Sequence, residues 1–192
     1  MEPYFTINDK NMFYKYLDKS SIYFEYGSGG STYQASIRNN IKKIYSVESD
    51  LEFHNKLKLI LKDKTNIDFI YNEMDTKPKT WGYPGPNSTR MQKINYSNHI
   101  RLLNKNISKN IDLVLIDGRF RVACCLKCFD IINNDCLIVF DDFFIRPYYH
   151  IVLNYYDIVD KTKDEKMVIL KKKLNISSIP EKLIKKYELI KK

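Results

Sequence analysis

Short apolar, β-prone runs alternate with longer stretches whose apolar residues recur at helical spacing. Residues 8–17 show the helical pattern, and SIYFEY at 21–26 reads as a strand. A helix is expected from about Ser31, then IKKIYSVE (41–48) as strand, DLEFHNKLKLILK (50–62) as helix and NIDFIYN (66–72) as strand. Further on, DLVLID (112–117) reads as a buried strand, RVACCLKCFDII (121–132) as helix, CLIVFD (136–141) as strand and PYYHIVLNYY (147–156) as helix. YDIVDK (156–161) and KMVILKK (166–172) are shorter strand candidates.

Strands separated by helices imply a mostly parallel sheet with helices on both faces, because each parallel pair needs a crossover that covers the sheet. In such sheets ligands bind beyond the carboxyl ends of the strands. The regular alternation breaks at residues 72–95, a stretch that holds three of the six prolines and the only tryptophan. Its length marks it as a candidate lid or substrate loop. The 192 residues fit a single α/β domain: an N-terminal helix (1–20), a core (21–172) and a basic C-terminal helix or tail (173–192).

Composition changes this picture little. No stretch approaches a membrane span, and the N-terminus lacks the basic-then-apolar pattern of a secretory signal, so a cytoplasmic protein is expected. The net charge of +9 is concentrated: residues 161–192 hold eleven Lys and four acids, leaving about +2 for the rest. Such a lysine-rich end reads as a solvated helix face, or as a patch for phosphate backbones. Cys124, Cys125 and Cys128 follow an apolar helix face, and with Cys136 they read as buried, reduced thiols rather than metal ligands.

Candidate chemistry begins at FEYGSGGST (24–32), where Gly27, Gly29 and Gly30 fall between a strand and a helix. Glycine there permits a tight turn and lets a ligand reach main-chain atoms. Glu48 ends the next strand, 21 residues after Gly27, where a carboxylate accepts hydrogen bonds from ribose hydroxyls. A nucleoside-type ligand follows from the pair. Glu25, at the end of the first strand, disfavours a pyrophosphate and suits a methionine amine, which points to S-adenosylmethionine rather than a dinucleotide.

EYGSGGST with Glu25, and SVESD with Glu48 and Ser49, resemble the first two motifs of class I S-adenosylmethionine-dependent methyltransferases. The resemblance covers roughly residues 20–172 and implies a Rossmann-like, seven-stranded, mostly parallel sheet with a reversed final strand. It implies cofactor binding by Glu25, Gly27, Ser28, Gly29, Gly30, Glu48, Ser49 and Asp117. Ser31 stands where the general pattern has its third glycine. The Gly-Gly-Ser version, with WGYP (81–84), LVLIDGRFRVAC (113–124) and RPYYHIV (146–152), is similar to a subset associated with sugar and glycan biosynthesis.

Methyl transfer to a hydroxyl requires an acceptor held near the methyl group and a route for its proton. Asp117 ends the fourth strand, and Asp141 and Asp142 end the fifth. These carboxylates suit Mg²⁺, as in the metal-dependent O-methyltransferases they resemble, or direct acid–base work, or helix capping. Arg119 and Arg121 suit an anionic group of the substrate or ion pairs with these acids. His150 is a candidate general base or a packed core residue. Trp81 and Tyr83 are candidates for stacking on a sugar or adenine ring, or for anchoring the loop. The expected acceptor is a sugar or nucleotide-sugar hydroxyl. The other readings are nucleic-acid methylation, whose Asn/Asp-Pro-Pro-aromatic and Pro-Cys motifs the chain lacks, and a non-catalytic binding domain.

Overall fold

The computed structural model describes residues 1–190 and contains a seven-stranded sheet in the order β3-β2-β1-β4-β5-β7-β6. The strands are β1 (Ile22–Tyr26), β2 (Lys43–Glu48), β3 (Ile67–Tyr71), β4 (Leu113–Ile116), β5 (Leu137–Phe140), β6 (Tyr156–Lys161) and β7 (Val168–Lys172). Strands β1 to β5 pair in parallel, and β7 runs antiparallel to both of its neighbours. The strand order reverses between β1 and β4, so their carboxyl ends flank the crevice where this architecture receives ligands. The Rossmann-like expectation, including the reversed strand, matches this sheet.

Alternation along the strands divides the core in two, since successive side chains point to opposite faces. Tyr23, Leu113, Leu115, Val139 and Ile169 face α1 (Ile7–Leu17), α2 (Gly30–Ser36) and α3 (Leu51–Ile60). Phe24, Val114, Ile116, Ile138, Phe140 and Leu170 face the opposite layer, where α4 (Arg90–Leu102), α6 (Arg121–Cys128) and α7 (Glu181–Tyr187) pack. The one-turn helix α5 (Lys105–Ser108) leads into β4. All four cysteines lie buried in this second layer, and burial pushes their thiols above the ordinary range.

Two elements depart from the sequence reading. Helix α4 begins at Thr89, whose hydroxyl accepts from the Gln92 N–H while the Gln92 side chain accepts from the Thr89 N–H. This reciprocal cap starts a helix whose buried face is only Tyr96, Ser97 and Ile100, too narrow a stripe for periodicity to register. The segment Pro147–Asn154 is a 3₁₀ helix rather than an α-helix.

The C-terminal region, expected as a basic helix or tail, forms the helix α7, which is docked on the core. Ile184 and Tyr187 enter the core, and Glu188 lies 2.6 Å from the fully buried Lys127 Nζ. That nitrogen also donates to Ser97 and Asn98, tying α4, α6 and α7 together. Lys182, Lys185 and Lys186 face solvent, and the last two lysines of the expected basic tail lie outside the described residues. Among the described residues no helix is long and apolar enough to cross a membrane.

Candidate functional site

The turn after β1 is organised from below by Glu25. Parallel register sets Glu25 beside Ser46 of β2, and Tyr23 lies two residues back on the same face. The carboxylate accepts from Tyr23 Oη at 2.8 Å, Ser31 Oγ at 2.6 Å, Ser46 Oγ at 2.6 Å and the Thr32 hydroxyl. Burial pushes its pKa up, and these hydroxyl donors pull it back. With both oxygens taken and no exposed surface, Glu25 does not face a methionine amine, contrary to expectation. It fixes the turn instead. Thr32 extends the network by accepting from the Gly29 N–H at 2.9 Å, and Ser28 Oγ lies 2.5 Å from Ser46 Oγ.

Two glycines of the turn answer to the chain itself. Gly27 has φ 96°, and a Cβ there would lie 2.9 Å from the Gly118 nitrogen, so this position joins the β1 and β4 turns at van der Waals contact. A Cβ on Gly30 would collide with the main chain of Glu2 and Pro3, which cross the start of α2. Gly29 alone of the three has open space where a side chain would stand. Gly27, Ser28 and Gly29 are partly exposed, Gly30 is buried, and Gly29 is the glycine with room on its Cβ side.

Glu48 ends β2 on the same edge. Its Oε1 accepts from the Ser49 N–H at 2.6 Å and the Asp50 N–H at 2.8 Å, while Oε2 has no partner among the described residues. Burial drives its pKa up to about 7, against the pull of those two N–H donors. The 72–89 stretch, the part of the expected loop that precedes α4, passes beside Glu48. Ser49 Oγ donates to the Gly82 carbonyl at 3.2 Å, and a Cβ on Gly82 would lie 3.0 Å from Ser49 Oγ and 3.8 Å from Glu48 Oε1. Tyr83 stacks over the Arg119 guanidinium at 4.3 Å. Trp81 is 73% exposed and leans on Tyr4 of the N-terminal segment, with ring centroids 5.6 Å apart. Tyr83 thus faces the crevice, and Trp81 faces outward.

At the ends of β4 and β5 a single arginine collects the carboxylates. Arg121 opens α6 and reaches Asp117 Oδ1 at 2.9 Å, Asp141 Oδ2 at 3.4 Å and Asp142 Oδ2 at 3.3 Å. It also donates to the Gly118 and Asp141 carbonyls at 3.0 and 2.8 Å. Burial works against its charge, but the acids outweigh burial and hold its pKa above the usual value. Asp117 and Asp141 are pushed up by burial, with Arg121 pulling both down and Asp117 raising Asp141 further. Asp142, at φ 58°, also accepts an ion pair from Arg146 at 2.9 Å.

These three acids do not fit Mg²⁺. A guanidinium already fills the space between them, and among the described residues no group of three or more His, Cys, Asp or Glu side chains is arranged to hold a metal ion. The metal expectation for Asp117, Asp141 and Asp142 is corrected accordingly, and Arg121 is an ion-pair centre rather than a free anion receptor. His150 is corrected too. Its ring packs against Phe143 and Phe144 at 5.1 and 5.7 Å, and its buried Nε2 meets no carboxylate. His54 is likewise packed, beside Phe69 and Tyr71, and His99 bonds to Asn72 at 2.9 Å with burial lowering its pKa to about 4.

Ser46, Tyr96 and Arg146 escaped the sequence reading. Ser46 interrupts an otherwise apolar strand, KIYSVE, which is a legible sign of a buried polar partner. The Tyr96 hydroxyl occupies the space a side chain at Gly118 would need, and it sits on the helix that periodicity missed.

No family model and no curated protein sequence matches the chain. Solved structures do. A methyltransferase-like protein from Silicibacter pomeroyi superposes with a TM-score of 0.83 at 21% identity, covering 97% of this chain and 96% of that one. An RNA methyltransferase from Salinibacter ruber, in complex with S-adenosyl-L-homocysteine, gives 0.52 at 11% identity over 93% and 97% of the two chains. A precorrin-6y C5,15-methyltransferase from Geobacter metallireducens gives 0.51 at 14% identity over 90% and 94%. At these identities the likeness establishes the class I methyltransferase fold.

Proposed function

We propose that this chain is an S-adenosylmethionine-dependent methyltransferase acting on a hydroxyl of a sugar or nucleotide-sugar. The observation that carries the reading is Glu48: a buried carboxylate at the end of β2, held by two N–H groups through one oxygen and free at the other. Oε2 is the acceptor for a ribose hydroxyl, with Ser49 beside it and the open main chain of Gly29 across the crevice. S-adenosylmethionine held there supplies an electrophilic methyl group on its sulfonium.

Asp117 is the group that takes the acceptor's proton. Its side chain is 31% exposed at the β4 terminus, and Arg121 pairs with its Oδ1 at 2.9 Å. Burial raises its pKa above that of a free carboxylate, bringing its basicity closer to the operating pH. Asp141, raised further, is the better resting place for a proton between the two. Gly82 and Tyr83 of the 72–89 segment lie over this edge of the site, Gly82 against Ser49 and Tyr83 against Arg119.

The comparison structures include an RNA methyltransferase and a precorrin methyltransferase, so proteins of this fold act on nucleic-acid and on small-molecule acceptors. Calorimetry with S-adenosylhomocysteine tests the cofactor: micromolar binding is expected, lost in Glu48→Ala. Methyl-tritiated S-adenosylmethionine, incubated with separate pools of sugar nucleotides, glycans and RNA, tests the acceptor. Label in the sugar pool that disappears with Asp117→Asn supports the proposal, and label in RNA alone overturns the acceptor assignment.

A further inference from the structure

Arg119 presents a problem that the cofactor reading leaves unanswered. The residue is 94% buried, its exposure being 6%, and its Nε is shielded from solvent with no hydrogen-bond partner. Neither terminal nitrogen donates to, or pairs with, any described residue. The contrast with Arg121, two positions on and equally buried, is complete, since Arg121 is surrounded by carboxylates and carbonyls. Burying the Nε–H without an acceptor carries a cost, and the Tyr83 ring at 4.3 Å offsets it only in part, while the two terminal nitrogens are not shielded and are left open to a ligand.

Its position gives the cost a purpose. Arg119 follows Asp117 by two residues, and its stem lies against Gly82, 3.8 Å from where a Cβ would stand. The stem therefore runs along the loop that lies over Ser49 and Glu48, and the guanidinium sits under Tyr83 of that loop. A planar fork of this kind suits paired phosphate oxygens. The chain uses arginine sparingly, at six positions among 32 basic residues.

Building on the proposed methyltransferase reading, we infer that Arg119 is the recognition residue for a phosphate group carried by the acceptor, with Tyr83 closing over the bound ion pair. The acceptor is then a phosphorylated sugar or a nucleotide-sugar rather than a neutral glycan.

The test uses pyrophosphate as probe, titrated calorimetrically into the full chain with and without saturating S-adenosylhomocysteine. Wild type is expected to bind it, with affinity falling at least tenfold in Arg119→Gln, about threefold in Tyr83→Ala, and not at all in a Lys185→Ala/Lys186→Ala control. Arg119→Met is expected to raise the thermal midpoint, because an uncompensated charge leaves a buried site, whereas a structural arginine would lower it. Absence of pyrophosphate binding in both forms of wild type overturns the inference. So does an Arg119→Gln variant that loses S-adenosylhomocysteine while retaining adenosine, because the guanidinium then holds the cofactor's own carboxylate. Failure of wild type to bind S-adenosylhomocysteine would count against the methyltransferase reading alone, since pyrophosphate binding is measured without it.

Discussion

Arg121 Nη2 lies 2.9 Å from Asp117 Oδ1, four residues back across the turn, and this pair joins the end of β4 to the start of α6. The geometry arises because Phe120 takes a left-handed conformation, φ 53°, which turns the chain so that the first helical side chain points back at the strand end. From there the same guanidinium reaches the acids after β5, so one buried cation sets the position of three carboxylates.

Removing that cation leaves the acids facing one another. Arg121→Ala is expected to lower unfolding stability by about 3 kcal/mol in urea titrations, the cost of stripping one partner from a buried ionic cluster. The vacated centre should also acquire Mn²⁺ affinity that wild type lacks, read by electron paramagnetic resonance. Stoichiometric Mn²⁺ binding by the wild-type protein would contradict the assignment of Arg121 as resident cation.

Cofactor affinity should depend on pH through Glu48. Its folded-state pKa of about 7 lies above the ordinary glutamate value, so its contribution to the stability of the free protein is present below pH ~4.5 and is lost as pH rises through about 7. Binding has the opposite sign, because only the carboxylate accepts from a ribose hydroxyl on Oε2. Affinity for S-adenosylhomocysteine is expected to rise about tenfold from pH 6 to pH 8, following the ionised fraction. A flat profile in wild type, or an unchanged slope in Glu48→Gln, would remove Glu48 from the cofactor site.

Glu25→Gln is expected to behave as a severe substitution. One carboxylate oxygen becomes an NH₂ group that meets hydroxyl donors, either Tyr23 and Ser31 or Ser46 and Thr32, and the buried groups lose their acceptor. The cost is about 2 to 3 kcal/mol. Thermal denaturation should show it in the absence of any ligand, as befits a residue that builds the turn rather than one that touches the cofactor.

Truncation before α7 should destabilise the protein instead of trimming a charge patch. Lys127 has no exposed surface, and Glu188 is its only carboxylate partner among the described residues, so Glu188→Ala alone is expected to cost about 3 kcal/mol. A nucleic-acid role for the C-terminal lysines is therefore tested with Lys182, Lys185 and Lys186 replaced on the intact chain. Salt-dependent RNA binding that falls with these replacements would establish one.

The sole tryptophan reports on the loop. A ribose on Glu48 Oε2 competes for the space beneath Gly82, whose carbonyl is held by Ser49 at 3.2 Å. S-adenosylhomocysteine is expected to shift the emission of Trp81 by moving it relative to Tyr4, and the shift should vanish in Glu48→Ala. Unchanged emission on saturation would mean that the loop keeps its place.

The sequence by itself determined the order of the strands and of most helices, though not α4 or α5, and the sites of Glu48 and Asp117 at strand ends. Those features are local: alternation over five or six residues makes a strand, and a polar residue after an apolar run marks where it stops. Tertiary structure alone decided which partners each polar group meets. Glu25 and Ser46 are 21 residues apart yet face each other through parallel register, and Gly30 is bare because residues 2 and 3 cross it. Arg119 and Arg121 share a residue type and a neighbourhood in the chain, but helix geometry brings Arg121 among carboxylates and leaves Arg119 without an acceptor. A side chain's chemistry depends on the groups within a few ångströms, and folding draws those from distant parts of the chain.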